Sequence, residues 1–335
     1  SPGVGTHSEL GDLFGYSLGV GDINGDSYDD LVVGVPGEGV AKQERAGLVH
    51  IIFGSDTGLS GEESTMLHQY TRKIRSKPEL DDAFGEAIAV GNINGDQYDD
   101  IVIGVPGETV GWGSRTKYEA GALHIVYGSA DGVSGEGSHW YFQNSPQWPG
   151  RAETGDRFAS ALALGDIDGD GIGDLVIGIP GEDLGKYENA GQVQIRYNPG
   201  DWSQSESSVQ TLYQNARGVK NRVESGDQFG YHIEVVDLIE DDSLDLVIGI
   251  PGESISKKMN AGAVAILPGL NGQISTGNDQ ILYPYQSSIS GNSQAEALFG
   301  HSFTSLNGDL VIGSPGRNIT GNTAAGAFYY LSYAN

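Results

Sequence analysis

The chain has no cysteine among its 335 residues, which excludes disulfide staples, thiolate metal sites and cysteine nucleophiles, and leaves its redox compartment unread. Basic residues are scarce: 18 Lys and Arg stand against 45 Asp and Glu, a formal charge of −27. That deficit argues against nucleic-acid binding by bulk electrostatics. No apolar run approaches the ~18 residues of a membrane span, and no segment joins helical periodicity to caps. The sequence opens Ser1-Pro2 without Met or a visible signal peptide, so it reads as a processed or trimmed product.

Glycine, by contrast, is abundant. Its 53 residues are spread along the chain, which suits many tight turns between short strands. Three signals recur in one order. A Phe-Gly pair stands at Phe14, Phe84, Phe229 and Phe299, with Phe158-Ala159 between, in steps of 70, 74, 71 and 70 residues. Val-Gly-Val-Pro-Gly-Glu or a variant follows at 33–38, 103–108, 177–182, 248–253 and 312–317. Ala-Gly then opens an apolar stretch at Ala46, Ala120, Ala190, Ala261 and Ala325.

Each unit reads as four strands. "FGYSLGVGD" alternates, "DLVVGVPG" suits a strand buried on both faces, and "AGLVHIIFG" is β-branched. A fourth strand is expected at "STMLHQY", "HWYFQN", "VQTLYQN" and "QILYPYQ". Four antiparallel strands repeated radially describe a β-propeller. The expected fold is all-β, one propeller of five blades at about 14–83, 84–157, 158–228, 229–298 and 299–335, the last stopping after its third strand.

Between the first two strands lies an acidic loop with oxygen-bearing side chains at positions 1, 3, 5 and 9. These are Asp22, Asn24, Asp26 and Asp30, then Asn92, Asn94, Asp96 and Asp100, then Asp166, Asp168, Asp170 and Asp174. The alternate spacing turns them into one concave shell, to which the position-7 carbonyls of Tyr28, Tyr98 and Ile172 can add a ligand. Hard oxygens in a flexible loop suit Ca²⁺ over Zn²⁺ or Mg²⁺. An EF-hand is excluded, since position 12 is Val33, Ile103 or Ile177 rather than Glu. The alternative is an Asx-rich turn without metal. Recurrence in register with two other signals favours the metal, as does repulsion of ~1 kcal/mol between carboxylates ~4 Å apart in water. Three calcium sites are expected, strongest in the third unit. A weaker fourth is possible at Asp237, Asp241 and Asp245, where position 3 has become Ile239. The fifth unit has lost the loop.

The order of Phe-Gly, acidic loop and Gly-Val-Pro-Gly resembles the FG-GAP repeat of integrin α-subunits and of integrin-like microbial proteins, from Phe14 to about Tyr333. The resemblance implies a propeller with nine-residue calcium loops in the first hairpin of a blade. Integrin propellers have seven blades, whereas five units fit here.

In a propeller, connections two–three and four–one share one face. They hold 17 of the 18 basic residues with 18 acids, a net of −1, and leave −26 and one base, Arg196, to the remainder. The resemblance implies that this face, opposite the calcium loops, contacts ligand. Its long loops carry Trp112, Arg115, Tyr118, Trp148 and Tyr187, a composition suited to recognition of an extracellular protein or a carbohydrate. The residues after each Phe-Gly (Tyr16, Glu86, Ser160, Tyr231 and His301) are candidates for the channel mouth, or ordinary channel filling.

A catalytic apparatus is not expected. Gly15-Tyr16-Ser17-Leu18-Gly19 matches Gly-x-Ser-x-Gly, but a nucleophile elbow needs a strand-to-helix turn. His50 and His124 share one repeat position and read as scaffolding. Glu38, Glu108, Glu182 and Glu253 recur in four units, which favours a structural role over paired acid/base chemistry. The expected function is an extracellular or cell-surface recognition and adhesion module; the alternatives are a carbohydrate-binding module or a polysaccharide-acting enzyme.

Overall fold

A computed structural model describes residues 9–332 apart from 199, 201, 203–208, 217, 287, 288, 290 and 307. The chain is all-β, a five-blade β-propeller of small antiparallel sheets. Blade one comprises β1 Leu18–Gly21, β2 Asp30–Val35, β3 Leu48–Phe53 and β4 Ser60–Leu67. Blade two comprises β5 Ile88–Gly91, β6 Asp100–Val105, β7 Ala122–Val126 and β8 His139–Tyr141. Blade three holds β9 Ala161–Gly165, β10 Asp174–Ile179, β11 Gln192–Arg196 and β12 Val209–Leu212. Blade four holds β13 Ile233–Val236, β14 Asp245–Ile250, β15 Ala263–Leu267 and β18 Gln280–Leu282, with a small hairpin of β16 Gly269–Leu270 and β17 Gln273–Ile274. Blade five has three strands, β19 Phe303–Leu306, β20 Asp309–Ser314 and β21 Ala327–Ser332.

By Cα proximity the chain forms two compact units. One takes in residues 1–164, 171–173 and 198–208, the other 165–170, 174–197 and 209–335. In the first, Val32, Val49, Ile51, Leu67, Phe84, Ile101 and Ile103 belong to one buried cluster. In the second, Val247, Val264, Ile266, Leu282, Phe299 and Ile312 do the same.

The second strands explain the apolar runs. β6, β10 and β14 are buried at every residue, and β-branched residues fit such pleated two-sided surfaces. The glycine inside each run permits close blade approach. A Cβ at Gly34 would lie 2.1 Å from the Gly85 carbonyl oxygen, and one at Gly104 would lie 2.2 Å from that of Ala159.

A second joint uses the other two repeat signals. The Phe84 N–H donates to the Ala46 carbonyl at 2.9 Å, Phe158 to Ala120 at 2.9 Å, Phe229 to Ala190 at 3.0 Å and Phe299 to Ala261 at 3.1 Å. The three sequence signals are therefore the parts of one blade-to-blade contact.

Candidate functional site

The acidic loops are organised first by their ninth residue. Asp30, Asp100, Asp174 and Asp245 are fully buried. Each accepts the N–H of loop position 2: Ile23 at 2.9 Å, Ile93 at 3.2 Å, Ile167 at 2.9 Å and Leu238 at 2.9 Å. The other carboxylate oxygen of Asp30, Asp100 and Asp245 accepts from Gly54, Gly128 and Gly269, just past the third strand, at 2.8, 3.0 and 3.0 Å. Burial pushes the Asp30, Asp100 and Asp245 carboxyls up, against the lowering effect of these bonds. This residue latches the loop to its blade, which a reading based on ligand spacing alone does not reveal.

The remaining loop positions differ among blades. In blade one, Asp22 accepts the N–H groups of Gly25, Asp26 and Ser27 at 2.8–3.1 Å, and the Asn24 amide donates to Asp26 at 3.0 Å. Blade two repeats that amide-to-carboxylate bond from Asn94 to Asp96 at 2.9 Å, while Asn92 accepts from Gly95 at 2.8 Å. Tyr28 and Tyr98 donate their N–H groups to Asp26 and Asp96.

In blade three position 3 is Asp168, which has no amide to donate. Carboxylate oxygens of Asp166, Asp168 and Asp174 lie within 4.8 Å of one another, the one such acidic group among the described residues. Burial chiefly, then the charges of Asp170 and Asp166, raises the Asp168 carboxyl. Three converging hard oxygens fit a divalent cation. Asp170 enters this loop by donating its N–H to Asp168 at 3.1 Å, and Ile172 occupies position 7. In blade four Asp237 accepts from Asp241 and Asp242 at 3.1 and 3.2 Å, so the turn persists although Ile239 replaces the third oxygen.

The loops on the other side separate the predicted contact residues. Trp112 is 88% exposed and Tyr118 is exposed too. Trp112 precedes a single 3-10 turn, Gly113–Arg115, in which Arg115 is also exposed, so one loop presents all three. Tyr187 is half-buried beside the Lys186 ammonium, 5.1 Å from its ring centroid, and lines a groove of about 620 Å³ with Tyr213 and Arg222. Trp148 is a correction. It is 3% exposed, packed edge-on against Phe158 at 5.7 Å and near Trp202 at 6.5 Å, so its ring belongs to the core.

Arg196, the basic residue assigned to the remainder, is fully buried in β11. Arg217 lies outside the described residues. Of the channel candidates, Glu86 pairs with Arg157 at 2.7 Å, and the Tyr231 hydroxyl and a His301 ring nitrogen lie 3.0 Å apart. His50 and His124 are fully buried against Phe14 and Phe84 at 5.7 and 5.5 Å, and burial lowers both imidazoles. Ser17 donates its hydroxyl to the Gly85 carbonyl at 2.7 Å within the sheet region, with no helix after it.

Two of the recurrent glutamates belong to a buried group whose other members were not anticipated. Glu108 is buried and accepts from Gln69 at 2.7 Å and from Ser76 at 2.5 Å. Burial first, then the charge of neighbouring Asp82, pushes its carboxyl up to about 8. Asp82 is itself raised to about 6 by burial, and caps the Glu79 N–H at 2.6 Å. Glu253, Gln214 and Asp227 repeat the set, with Gln214 donating to Glu253 at 2.6 Å and Asp227 raised to about 8. The sequence signal was present: an Asp two residues before each of the first four Phe and a Gln after three of the fourth strands. These acids were counted as surface charge, yet Asp82, Glu108, Asp156, Asp227 and Glu253 are all buried. The loops that carry them are thus less acidic at the surface than a residue count gives.

Comparison with known proteins agrees with the fold. The family model described as "FG-GAP repeat" matches residues 14–52, 84–126 and 158–195. Integrin alpha-8 of Mus musculus is 29% identical over 241 residues, covering 71% of this chain and 20% of that protein. Integrin alpha-PS5 of Drosophila melanogaster is 31% identical over 176 residues, 52% of this chain and 15% of that protein. Phosphatidylinositol-glycan-specific phospholipase D of Dictyostelium discoideum is 28% identical over 264 residues, 76% of this chain and 27% of that protein. The chain thus spans between about a seventh and a quarter of these relatives. No helix among the described residues is long and apolar enough to cross a membrane. The chain thus carries FG-GAP repeats in its first three blades, on a five-blade β-propeller.

Proposed function

We propose that this propeller is a calcium-stabilised, extracellular recognition module of the integrin-like kind, binding an adhesion ligand through loops two–three and four–one. The observation that carries this reading is a division of labour. The first hairpins carry acidic loops, with three carboxylates converging in blade three and carboxamide–carboxylate pairs in blades one and two, while the loop of Trp112, Arg115 and Tyr118 presents large exposed side chains. Asp166, Asp168 and Asp174 would hold the strongest ion, with Asp22, Asp26, Asp96 and their neighbouring carboxamides holding others. Calcium there supplies charge neutralisation and cross-links the hairpin, so its role is structural.

Aromatics beside an arginine also suit a sugar face, so a carbohydrate ligand is the second reading. A glycan array and a panel of surface proteins, each probed in calcium and in EDTA, decide between them. Calcium-dependent capture of a protein, abolished by Trp112→Ala and Arg115→Ala, supports adhesion. Capture of a glycan with the same sensitivity supports the second reading. Turnover of a glycan or a glycolipid would reject both in favour of an enzyme.

A further inference from the structure

The hairpin of β16 and β17 leaves blade four and is held by side chains of blade three. Both backbone groups of the buried Ile274 are taken there. Its N–H donates to the Tyr197 hydroxyl at 2.9 Å, and its carbonyl accepts the Gln210 amide at 2.8 Å. Tyr197 and Gln210 are themselves joined, hydroxyl to amide oxygen, at 2.6 Å. Two side chains thus stand in for one rung of a sheet ladder and fix the flank of the hairpin. The base of the hairpin stays with its own blade, where the Gly269 N–H donates to the buried Asp245 at 3.0 Å.

The turn of this hairpin comes down on the acidic loop of blade three. Gly272, at φ +73°, lies against Asp168: a Cβ there would sit 3.1 Å from the Asp168 carbonyl oxygen and 3.4 Å from its Cβ. Asp168 is the member of the convergent trio that stands where blades one and two have Asn24 and Asn94. Tyr197 belongs to the same neighbourhood. Burial first, then the charges of Asp174 and Asp168, push its phenol up to about 12. A similar reach occurs one blade earlier. Beyond β11, the Trp202 indole N–H and the Asn198 amide donate to the Ile93 carbonyl of the blade-two loop at 3.0 and 2.6 Å.

We infer that Gly272 and Tyr197 are positioning residues for the blade-three cation: the blade-four hairpin fixes Asp168, and cation and hairpin hold each other in place. The inference rests on the calcium reading above and adds to it a contribution from a second blade. A carboxylate that must converge with two others within 4.8 Å tolerates little displacement. A methyl group at Gly272 would press on Asp168, whose backbone must give way. Tyr197→Phe would release the Ile274 N–H without touching a carboxylate. Such coupling is reciprocal, so calcium should also tighten the hairpin.

Calcium titration calorimetry on the whole chain tests this, with Asp168→Asn identifying the blade-three step. Gly272→Ala and Tyr197→Phe should each weaken that step by roughly five- to tenfold and leave the other steps unchanged. Gly185→Ala, at a positive φ with open space around it, should change none of them. In the unaltered chain, calcium should slow hydrogen exchange of the Ile274 amide several-fold, and Asp168→Asn should abolish that slowing. A role in folding alone would lower melting in EDTA but move neither readout. An unaltered chain that takes up no calcium overturns the calcium reading and this inference together. Calcium uptake with no Asp168-dependent step, or with that step unchanged in either variant, overturns this inference alone. So does an Ile274 amide indifferent to calcium, a measurement that stands even if Gly272→Ala fails to fold.

Discussion

The Phe84 N–H reaches the Ala46 carbonyl at 2.9 Å because Gly47, at φ +82°, lets the strand turn hard against the next blade. A Cβ there would sit 2.3 Å from the Phe84 oxygen and 2.5 Å from its nitrogen, both backbone atoms that cannot rotate away. Gly47→Ala should therefore destabilise by ~2–4 kcal/mol through strain and overpacking. Urea unfolding should show this as a lower midpoint with little change in slope. The same change at Gly185, with open space around it, should cost only the positive-φ penalty of about 1 kcal/mol.

The loop acids should divide into two classes. Asp168→Asn should remove most of the calcium-induced rise in melting temperature assigned to blade three, worth ~2.7 kcal/mol at about 100 times Kd. In EDTA the same variant should melt close to the unaltered chain. Asp174→Ala should destabilise in EDTA as well, because it unlatches the Ile167 and Asp168 N–H groups at 2.9 and 3.2 Å. Calorimetric melting in calcium and in EDTA checks both, and equal behaviour of the two variants would refute the distinction.

Stability should depend on pH through the buried acids away from the loops. Glu108 is raised to about 8 and Asp82 to about 6, both primarily by burial. A carboxyl whose folded pKa lies above its unfolded value favours the protonated fold. Its contribution is complete below about pH 4 and is lost as pH rises through 6 to 8. In EDTA, melting temperature should fall across that window, with an effect on the order of a few kcal/mol. Glu108→Gln should flatten the upper part of the profile by keeping a neutral group against Gln69 and Ser76. A profile unchanged by that substitution would refute the assignment.

The two tryptophans should part company. Trp148→Ala should cost ~3–5 kcal/mol of stability, since it empties a buried site against Phe158 and Trp202. Trp112→Ala should leave stability within about 0.5 kcal/mol and act on ligand capture alone. Chemical denaturation beside the array measurement separates these outcomes.

The blades were legible because their contacts are local and repeated. β2, β6, β10 and β14 follow from the apolar runs, and the short first hairpin of the fifth blade from the missing acidic loop. The hairpin of β16 and β17 escaped, although Asn271-Gly272 at φ +53° and +73° carries the favoured two-residue turn signal. Its strands are two residues each, below what periodicity can register. Trp148 escaped for a different reason. Its loop is long and polar, and its burial is decided by Phe158 and Trp202, 10 and 54 positions away in the chain. In the acidic loops the ligand-type residues were legible, but the latch made by Asp30 and its equivalents depends on Gly54, Gly128 and Gly269, which spacing within the loop cannot reveal.

The blade joint has an evolutionary consequence. The same Phe-to-Ala bond closes all four boundaries at 2.9–3.1 Å, so each blade meets its neighbour through a common adaptor. A recombination that copied or excised a segment from one Phe-Gly to the next would preserve that bond on both sides. Such a gene can change its number of blades in single steps, while each blade's long loops diversify independently of the joints that hold them.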